Sequence, residues 1–151
     1  MLMILKIVSA LVLLVVAFMF YKNSTTPDYL GVQQGKFAPM PSTPNAVSSQ
    51  TDIAEKKVAS LPFDSVEQAK LTVTKVLQAM GNNNVESESD NYIHIVFTTD
   101  KMRYNDDVEL FFDVQNQQLH YRSQSRVGYS DGGANLKRYQ RFTKHYQALS
   151  E

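Results

Sequence analysis

A chain of 151 residues has room for one globular domain with a modest core and a short appendage. Its 15 basic and 15 acidic side chains cancel, and a zero net charge does not fit a nucleic-acid-binding domain, which is usually basic overall. Because the chain has no cysteine, disulfides and thiolate metal sites are excluded.

The chain begins with MLMILKIVSALVLLVVAFMFYK, which is apolar up to Tyr21 except for Lys6 and Ser9. A membrane-spanning helix needs about 20 such residues, so residues 1–22 are predicted to form a transmembrane signal anchor. A cleaved signal peptide is the alternative, but cleavage needs small side chains and residues 18–22 are bulky. Short amino-terminal flanks usually stay in the cytoplasm, so we expect a single-pass protein of the bacterial inner membrane with a periplasmic domain.

Residues 23–50 are rich in proline, serine, threonine and glutamine, a composition typical of an extended linker. Four apolar side chains interrupt this composition and predict that part of the segment docks onto the domain. They are Tyr29, Leu30, Val32 and Phe37.

Two helices are predicted from apolar stripes of helical period. The first covers residues 65–80, with Asp64 as its N-cap, Glu67 completing a capping box, and Gly81 at its end. The second covers residues 133–149. Its predicted buried stripe is Leu136, Tyr139, Phe142, Tyr146 and Leu149.

Four strands with alternating apolar side chains lie between these helices. They are predicted over residues 85–89, 92–99, 108–114 and 119–125. Short connections imply antiparallel pairing, so the sequence predicts an α+β fold with helices on one face of a four-stranded antiparallel sheet.

Charge is unevenly distributed along the domain. Residues 51–118 hold twelve acidic and six basic side chains, whereas residues 119–151 hold two acidic and six basic ones. A two-residue turn at residues 116–117 would place Asp107 opposite Arg126, with Asp113 opposite His120 and Phe111 opposite Arg122. On that register, Glu109, Gln124 and these charged residues share the outward face.

Two interpretations of that face stay open. Opposite charges across a ladder stabilise a solvated sheet surface by about 0.2–1 kcal/mol per pair. Alternatively, Arg122 and Arg126 keep spare donors for a bound carboxylate or phosphate.

The glycine-containing stretch VGYSDGGAN precedes the last helix. Ser130 or Asp131 can cap that helix, and a glycine turn at a helix start can also bind an anion. On the helix itself, Arg138, Arg141 and His145 are predicted to share one exposed face. Such a face, opposite an apolar stripe, is usually only the solvated side of the helix, and contact with anionic lipid headgroups is the alternative.

Recognisable catalytic patterns are missing from the sequence. The three histidines, His94, His120 and His145, lack metal-ligand spacing, and no serine lies in a Gly-x-Ser-x-Gly elbow. Asp106 and Asp107 could serve as acid/base groups, but the nearby arginines favour ionised structural partners.

Two longer stretches, LGVQQGKFAPMPSTPNAVSSQ and DDVELFFDVQNQQLHYRSQSRVGYSDGGANLKR, resemble the bacterial and plastid family catalogued as domain of unknown function 1499. The resemblance covers residues 30–142 and implies that residues 30–50 pack on the domain as an extended arm. The matching positions are Leu30, Gly31, Val32, Pro44, Asn45, Val47, Ser48, Ser49, Asp106, Asp107, Val108, Glu109, Arg122, Ser123, Ser125, Arg126, Gly128, Asp131, Gly133 and Asn135.

The sequence departs from that family at three places. Met40 and Ala46 stand where cysteines are frequent, and Leu136 stands where an arginine is common. The resemblance therefore implies no thiol chemistry here. It supplies no established reaction.

Together these observations predict a signal anchor (1–22), a short linker (23–29) and one α+β domain (30–151). We expect a membrane-anchored, non-catalytic binding or scaffolding module without cofactor or metal, whose partners are the membrane and an anionic small molecule or lipid headgroup, but not nucleic acid. The alternative is an enzyme that holds an anionic substrate with Arg122 and Arg126 and uses Asp107 or Asp131 as acid/base. The candidate ligand-binding residues are Arg122, Arg126, Asp131 and Asn135, with Asp107 and Glu109 as charge partners.

Overall fold

The structure is a computed structural model that describes residues 1–150. It has the predicted α+β fold, in which an amino-terminal helix precedes a six-stranded antiparallel sheet with two helices. The helices are α1 (Leu2–Ser24), α2 (Val66–Met80) and α3 (Ala134–Ser150), with a 3₁₀ turn at Ala54–Lys56. The strands are β1 (Val32–Gln33), β2 (Lys36–Phe37), β3 (Ala46–Ser48), β4 (Leu61–Pro62), β5 (Asn83–Glu88), β6 (Tyr92–Thr98), β7 (Asn105–Asp113) and β8 (Gln118–Ser125).

Helix α1 is long and apolar enough to cross a membrane. Its 23 residues extend about 35 Å at 1.5 Å per residue, against a hydrocarbon core of about 30 Å. None of its residues is buried in the protein. The helix therefore fits a single-pass membrane anchor or a signal sequence.

The main sheet has the order β3-β8-β7-β6-β5, and β4 pairs with β8 beside β3. Prediction of only four strands was wrong because β3 and β4 have three and two residues, too few to show an alternating pattern. Strands β1 and β2 form a separate two-stranded sheet within the arm (residues 30–50).

The predicted register of β7 and β8 was also wrong, by two residues. The strands are joined by a turn of four residues, 114–117, so that Asp113 lies opposite Gln118. Glu109 therefore lies opposite Arg122, and Asp107 opposite Gln124. Since side chains alternate with period two, a shift of two residues leaves each on its predicted face.

One sheet face packs against α2 and α3 and forms the apolar core, as the strand patterns predict. In α3, however, the prediction that Leu136 and Leu149 are buried was wrong, since they are 42% and 44% exposed. Asn135, four residues before Tyr139, occupies the inward position instead. Leu136 is consequently rotated outward, and Leu149 lies in the last turn.

The N-cap of helix α2 lies one residue later than predicted. The Ser65 hydroxyl, not Asp64, accepts a hydrogen bond from the backbone N–H of Gln68 at 3.2 Å. Ser65 is therefore the N-cap, since this bond satisfies a backbone donor in the first turn. Gly81 ends the helix as predicted, with a φ of 64°.

Of the two interpretations of the second sheet face, the solvated charge lattice is wrong at its centre. The arm and the preceding linker cover it. Phe37 of the arm packs edge-on against Phe111, with 6.4 Å between ring centroids. Asp107, Glu109 and Arg122 are consequently buried, and each exposes at most 1% of its surface.

Candidate functional site

Four charged side chains, which we call the polar centre, lie on this covered face: Asp107, Glu109, Arg122 and Arg126. Arg126 pairs with Asp107 in a bidentate arrangement, with Nε–Oδ2 at 2.9 Å and Nη2–Oδ1 at 2.7 Å. His94 Nε2 lies 2.8 Å from the same Asp107 Oδ1. The Asp107 carboxylate thus has one neighbour on β6, His94, and one directly after the end of β8, Arg126.

These contacts set the ionisation of the pair. Burial acts to raise the pKa of Asp107, but the hydrogen bonds from His94 and Arg126 outweigh it and hold that pKa below its usual range. Burial acts to lower the pKa of Arg126, but Asp107 raises it above its usual value. The pair is therefore charged, and Asp107 is not a carboxylic acid ready to donate a proton.

Glu109 forms the second pair of the polar centre. Its Oε2 accepts from Arg122 across the strand pair. Its Oε1 accepts from the Gly31 backbone N–H at 2.7 Å and from the Tyr92 hydroxyl at 2.9 Å. Glu109 thereby ties the start of the arm to the middle of the sheet.

Arg122 lies beneath the linker. The Tyr29 ring covers its guanidinium, with 5.0 Å from Cζ to the ring centroid, a cation–π arrangement. Arg122 Nη2 donates to Gln124 Oε1 at 2.5 Å, whereas its buried Nε has no hydrogen-bond partner. Burial raises the pKa of the Tyr29 phenol, partly offset by Arg122.

Asn23, at the end of α1, attaches that helix to the sheet. Its side chain donates to the Arg103 carbonyl oxygen at 2.9 Å and accepts from the Asn105 backbone N–H at 2.8 Å. Its own carbonyl oxygen accepts from Asn105 Nδ2 at 3.0 Å and from Arg126 Nη1 at 3.2 Å. Four hydrogen bonds therefore hold a single residue of the predicted linker.

The other two candidate residues, Asp131 and Asn135, are not part of the polar centre. They belong to a cluster on the opposite face of the sheet, which we call the Asn135 cluster. Asp131 accepts from the backbone N–H groups of Gly133 at 2.9 Å and Asn135 at 2.8 Å. Since the Asp131 carboxylate occupies the start of α3, an external anion is not needed there.

Asn135 is fully buried and uses both ends of its amide. Its Nδ2 donates to the Asn45 carbonyl oxygen at 2.9 Å, to Ser125 Oγ at 3.0 Å and to Asp131 Oδ2 at 2.7 Å. Its Oδ1 accepts from Ser123 Oγ, and from Arg138 Nη1 at 2.6 Å. Asn135 therefore joins the arm, β8 and α3 through one side chain.

The predicted exposed basic face of α3 was wrong for Arg138. Its guanidinium turns inward, pairs with the buried Asp106 and lies 5.1 Å from the Phe97 ring centroid. Asp106 lies on the helix-facing side of the sheet, which places an ion pair beside the apolar core. The partner of Arg138 is thus an internal carboxylate and not a lipid headgroup.

Two cavities border the polar centre, and Lys22, Gln124 and Arg126 line both. One, of about 470 Å³, lies between the linker and the sheet and includes Tyr29. The other, of about 440 Å³, lies between the end of α1 and residues 125–129. A guanidinium has five N–H donors, and Arg126 uses three of them in the contacts above.

Metal-binding groups are dispersed. Within residues 1–150, no cluster of three metal-ligating side chains occurs. His94 faces Asp107, while His120 Nδ1 lies 3.1 Å from Ser49 Oγ and its Nε2 lies 3.8 Å from Asp113. Burial lowers the pKa of His120 despite this carboxylate.

Residues 36–145 match the profile of a family described as "Protein of unknown function (DUF1499)". The chain belongs to this family. The resemblance seen in the sequence is thereby confirmed, and the matched DUF1499 region contains the polar centre and the Asn135 cluster. Asn23 and Tyr29 lie before it. No curated protein and no solved structure matches the chain.

Sequence reasoning missed Asn23 and the depth of the Asn135 cluster. The signal for the cluster was strand alternation: Asp106, Ser123 and Ser125 have the same parity as Val108 and Tyr121, which face the core. For Asn23 the sequence offers only a polar residue after an apolar helix. Its partners are about 80 to 100 residues away in the chain.

Proposed function

We propose that this DUF1499 protein is a membrane-anchored, non-catalytic scaffolding module. Its polar centre fixes the domain in one arrangement relative to the end of α1. The observation that carries this proposal is the double role of Arg126, which pairs with Asp107 and also donates to the carbonyl oxygen of Asn23. A charge buried in the sheet is thereby connected to the anchor.

The pairing of the arginines supports scaffolding over catalysis. Both have carboxylate partners, and Arg122 is covered by Tyr29. Buried ion pairs contribute little net stability compared with apolar packing, but they strongly penalise arrangements that leave one partner alone. They suit a structure whose geometry has to be unique.

The scaffolding role is tested by distances between α1 and the domain in lipid nanodiscs. Since the chain has no cysteine, the Val12→Cys and Val114→Cys pair can carry two spin labels on an otherwise native background. We expect a narrow distance distribution that becomes broad in the Asn23→Ala variant, which loses the two side-chain hydrogen bonds of Asn23, and in the Arg126→Met/Asp107→Leu variant, which loses the donor to its carbonyl oxygen. Asn91→Ala, a matched substitution at an exposed position in the turn between β5 and β6, should leave it narrow. A broad distribution in the native background would contradict the proposal.

A second candidate function is binding, or conversion, of an anionic small molecule at the cavity of about 470 Å³. The observation in its favour is that the uncommitted donors of Arg126 border this cavity together with Lys22. Inorganic phosphate should then raise the thermal midpoint of the full chain, and Lys22→Gln should weaken the effect. An unchanged midpoint at all phosphate concentrations would contradict this candidate and leave the scaffolding proposal standing.

A further inference from the structure

Two loops flank the end of α1 at one end of the strands of the main sheet. Residues 99–104 connect β6 to β7, and residues 126–133 connect β8 to α3. The first loop is attached to the anchor directly, because the Arg103 carbonyl oxygen accepts from Asn23 Nδ2 at 2.9 Å. A bilayer that contains α1 must therefore lie close to this end of the strands.

The second loop lies beside the last turns of α1. Its Tyr129 lines the same cavity as Phe18 and Met19, which lie five and four residues before Asn23. At 1.5 Å per residue, these positions are about 6 to 8 Å further along the helix toward the membrane. A loop that shares a cavity with Phe18 lies near the level at which an apolar helix enters the headgroup region.

The loops present large apolar side chains to the outside. Met102 is 65% exposed and Tyr129 is 76% exposed. Backbone bonds hold the first loop in shape, with Thr99 N–H to the Tyr104 oxygen at 2.9 Å and Arg103 N–H to the Thr99 oxygen at 3.1 Å. The exposure of Met102 is thus a property of a closed turn.

Charge at this end of the strands is mixed. Lys22, Lys101 and Arg103 are exposed, at the end of α1 or in the first loop. The acidic groups are Asp28, Asp100 and Asp131, of which Asp100 accepts a hydrogen bond from Asn82 at 2.6 Å and Asp131 accepts from the backbone at the start of α3. Basic residues beside a membrane helix attract anionic headgroups.

We infer that these loops are a membrane-facing surface that lies on the phospholipid bilayer holding α1. Met102 and Tyr129 enter the interface, and Lys22, Lys101 and Arg103 contact the headgroups. Tyrosine is typical of this depth because its ring is apolar and its hydroxyl is polar. The inference rests on the proposed function in that α1 spans the bilayer. It assigns lipid contact to these loops and not to α3.

The test uses the absence of tryptophan from the chain. Four full-length variants, each with one tryptophan, are reconstituted in nanodiscs with and without lipids brominated near the headgroup end of the acyl chains. Met102→Trp and Tyr129→Trp report on the membrane-facing surface, and Phe20→Trp reports on α1. Val114→Trp is the matched control, because Val114 is 58% exposed in the turn between β7 and β8, at the opposite end of the strands.

We expect bromine quenching and blue-shifted emission for Met102→Trp, Tyr129→Trp and Phe20→Trp, but for Val114→Trp neither effect. Charge-reversed Lys101→Glu should reduce the quenching of Met102→Trp in nanodiscs that contain phosphatidylglycerol.

Two results would overturn the inference, and they are distinguishable. Quenching of Phe20→Trp alone would show an inserted anchor with loops clear of the lipid, so the membrane-facing surface fails while the scaffolding proposal survives. Quenching of none would show that α1 itself lies outside the bilayer, and both proposals would fail.

Discussion

Arg126 Nη1 donates to the carbonyl oxygen of Asn23 over 3.2 Å, across a separation of 103 residues in the chain. The contact joins the last turns of an apolar helix to a charge buried in a sheet. Because Arg126 is also paired with the buried Asp107, the end of α1 is bonded to a side chain that an ion pair fixes in position. Helix α1 and the domain are in this way parts of one hydrogen-bonded system.

Removing one partner of the Asp107–Arg126 pair should lower the free energy of unfolding strongly, whereas replacing both partners by apolar side chains should change it little. We expect Arg126→Met to lower the free energy of unfolding by about 3–5 kcal/mol, because it leaves the Asp107 carboxylate buried without its cation. The Arg126→Met/Asp107→Leu double variant should recover most of this loss. The measurement is chemical unfolding of the full chain in detergent micelles.

The control for that pair is Lys144→Met, which removes a cation from the exposed side of α3. It should change the free energy of unfolding by less than about 0.5 kcal/mol. If the double variant is as unstable as Arg126→Met, the pair supports the fold by more than mutual neutralisation.

Much of this fold could be predicted from the sequence because its longer elements carry clear periodic patterns. The two domain helices and the strands β5 to β8 were located within a few residues. The alternating pattern also predicts which strand side chains face inward, and these lie in the core: Ile93, Ile95, Phe97, Val108, Leu110, Phe112, Leu119 and Tyr121. Asp107 and Glu109 alternate with Val108 along β7, and this alternation distinguished the polar face of the sheet from the apolar face. The burial of the polar face could not be predicted, because it depends on where the arm lies.

The predictions of the β7–β8 register and of the short strands failed for a physical reason. The length of the turn after Asp113 is determined by backbone geometry at residues 114–117, where Gln117 has a φ of 52°, and several turn lengths fit the same side chains. Strands β3 and β4 exist only because β8 offers them backbone partners. The joint site proposed for Arg122, Arg126, Asp131 and Asn135 combined residues from both sheet faces, which linear spacing does not distinguish.

Asn135 should be among the most sensitive positions in the chain. Asn135→Ala removes one of the two donors to the Asn45 oxygen, the other being the Ser125 N–H, and an acceptor for both Ser123 and Arg138. A buried hydrogen bond contributes about 0.5–1.5 kcal/mol, and more where one partner is charged, so the loss of these three bonds should total about 3 kcal/mol. Thermal unfolding monitored by circular dichroism measures it.

Asn116→Ala is the matched control for this position. Asn116 bonds only within its exposed turn, to Asp113. Its substitution should cost less than about 0.5 kcal/mol. Equal losses in the two variants would refute a special role for the buried amide.

Stability should fall in acid partly through Asp107. Its folded-state pKa is below the usual value of 3.8, so the folded state binds this proton less readily than the unfolded state. The stabilisation is present above the unfolded-state pKa and is lost as pH falls from about 4 through the lower folded-state pKa. We therefore expect Asp107→Asn to be less stable than wild type at pH 7, with the difference shrinking below pH 4.

Unfolding midpoints of both proteins from pH 7 to pH 2 provide the measurement. The difference between the curves isolates Asp107 from the other carboxylates. A difference that stays constant over the acid range would show that Asp107 contributes no proton-linked stability.

Tyr29 should act through its ring and not through its hydroxyl. Tyr29→Phe keeps a ring over Arg122, whereas Tyr29→Ala exposes the guanidinium and removes a cation–π contact worth about 0.5–2 kcal/mol. We expect Tyr29→Ala to increase proteolysis of residues 24–30 in nanodiscs and Tyr29→Phe to behave like wild type. Equal cleavage of the two variants would mean that the linker is held by other contacts.

The most direct test of the account is hydrogen exchange at the Gly31 amide of the full chain in nanodiscs. This amide precedes β1, and its partner is the Glu109 carboxylate, 78 residues away. We predict slow exchange for Gly31 in wild type and fast exchange in Glu109→Ala, with the core strand β7 still protected. Exchange of the wild-type Gly31 amide at the rate of an unprotected peptide would contradict the claim that the polar centre holds the anchor side of the chain to the sheet.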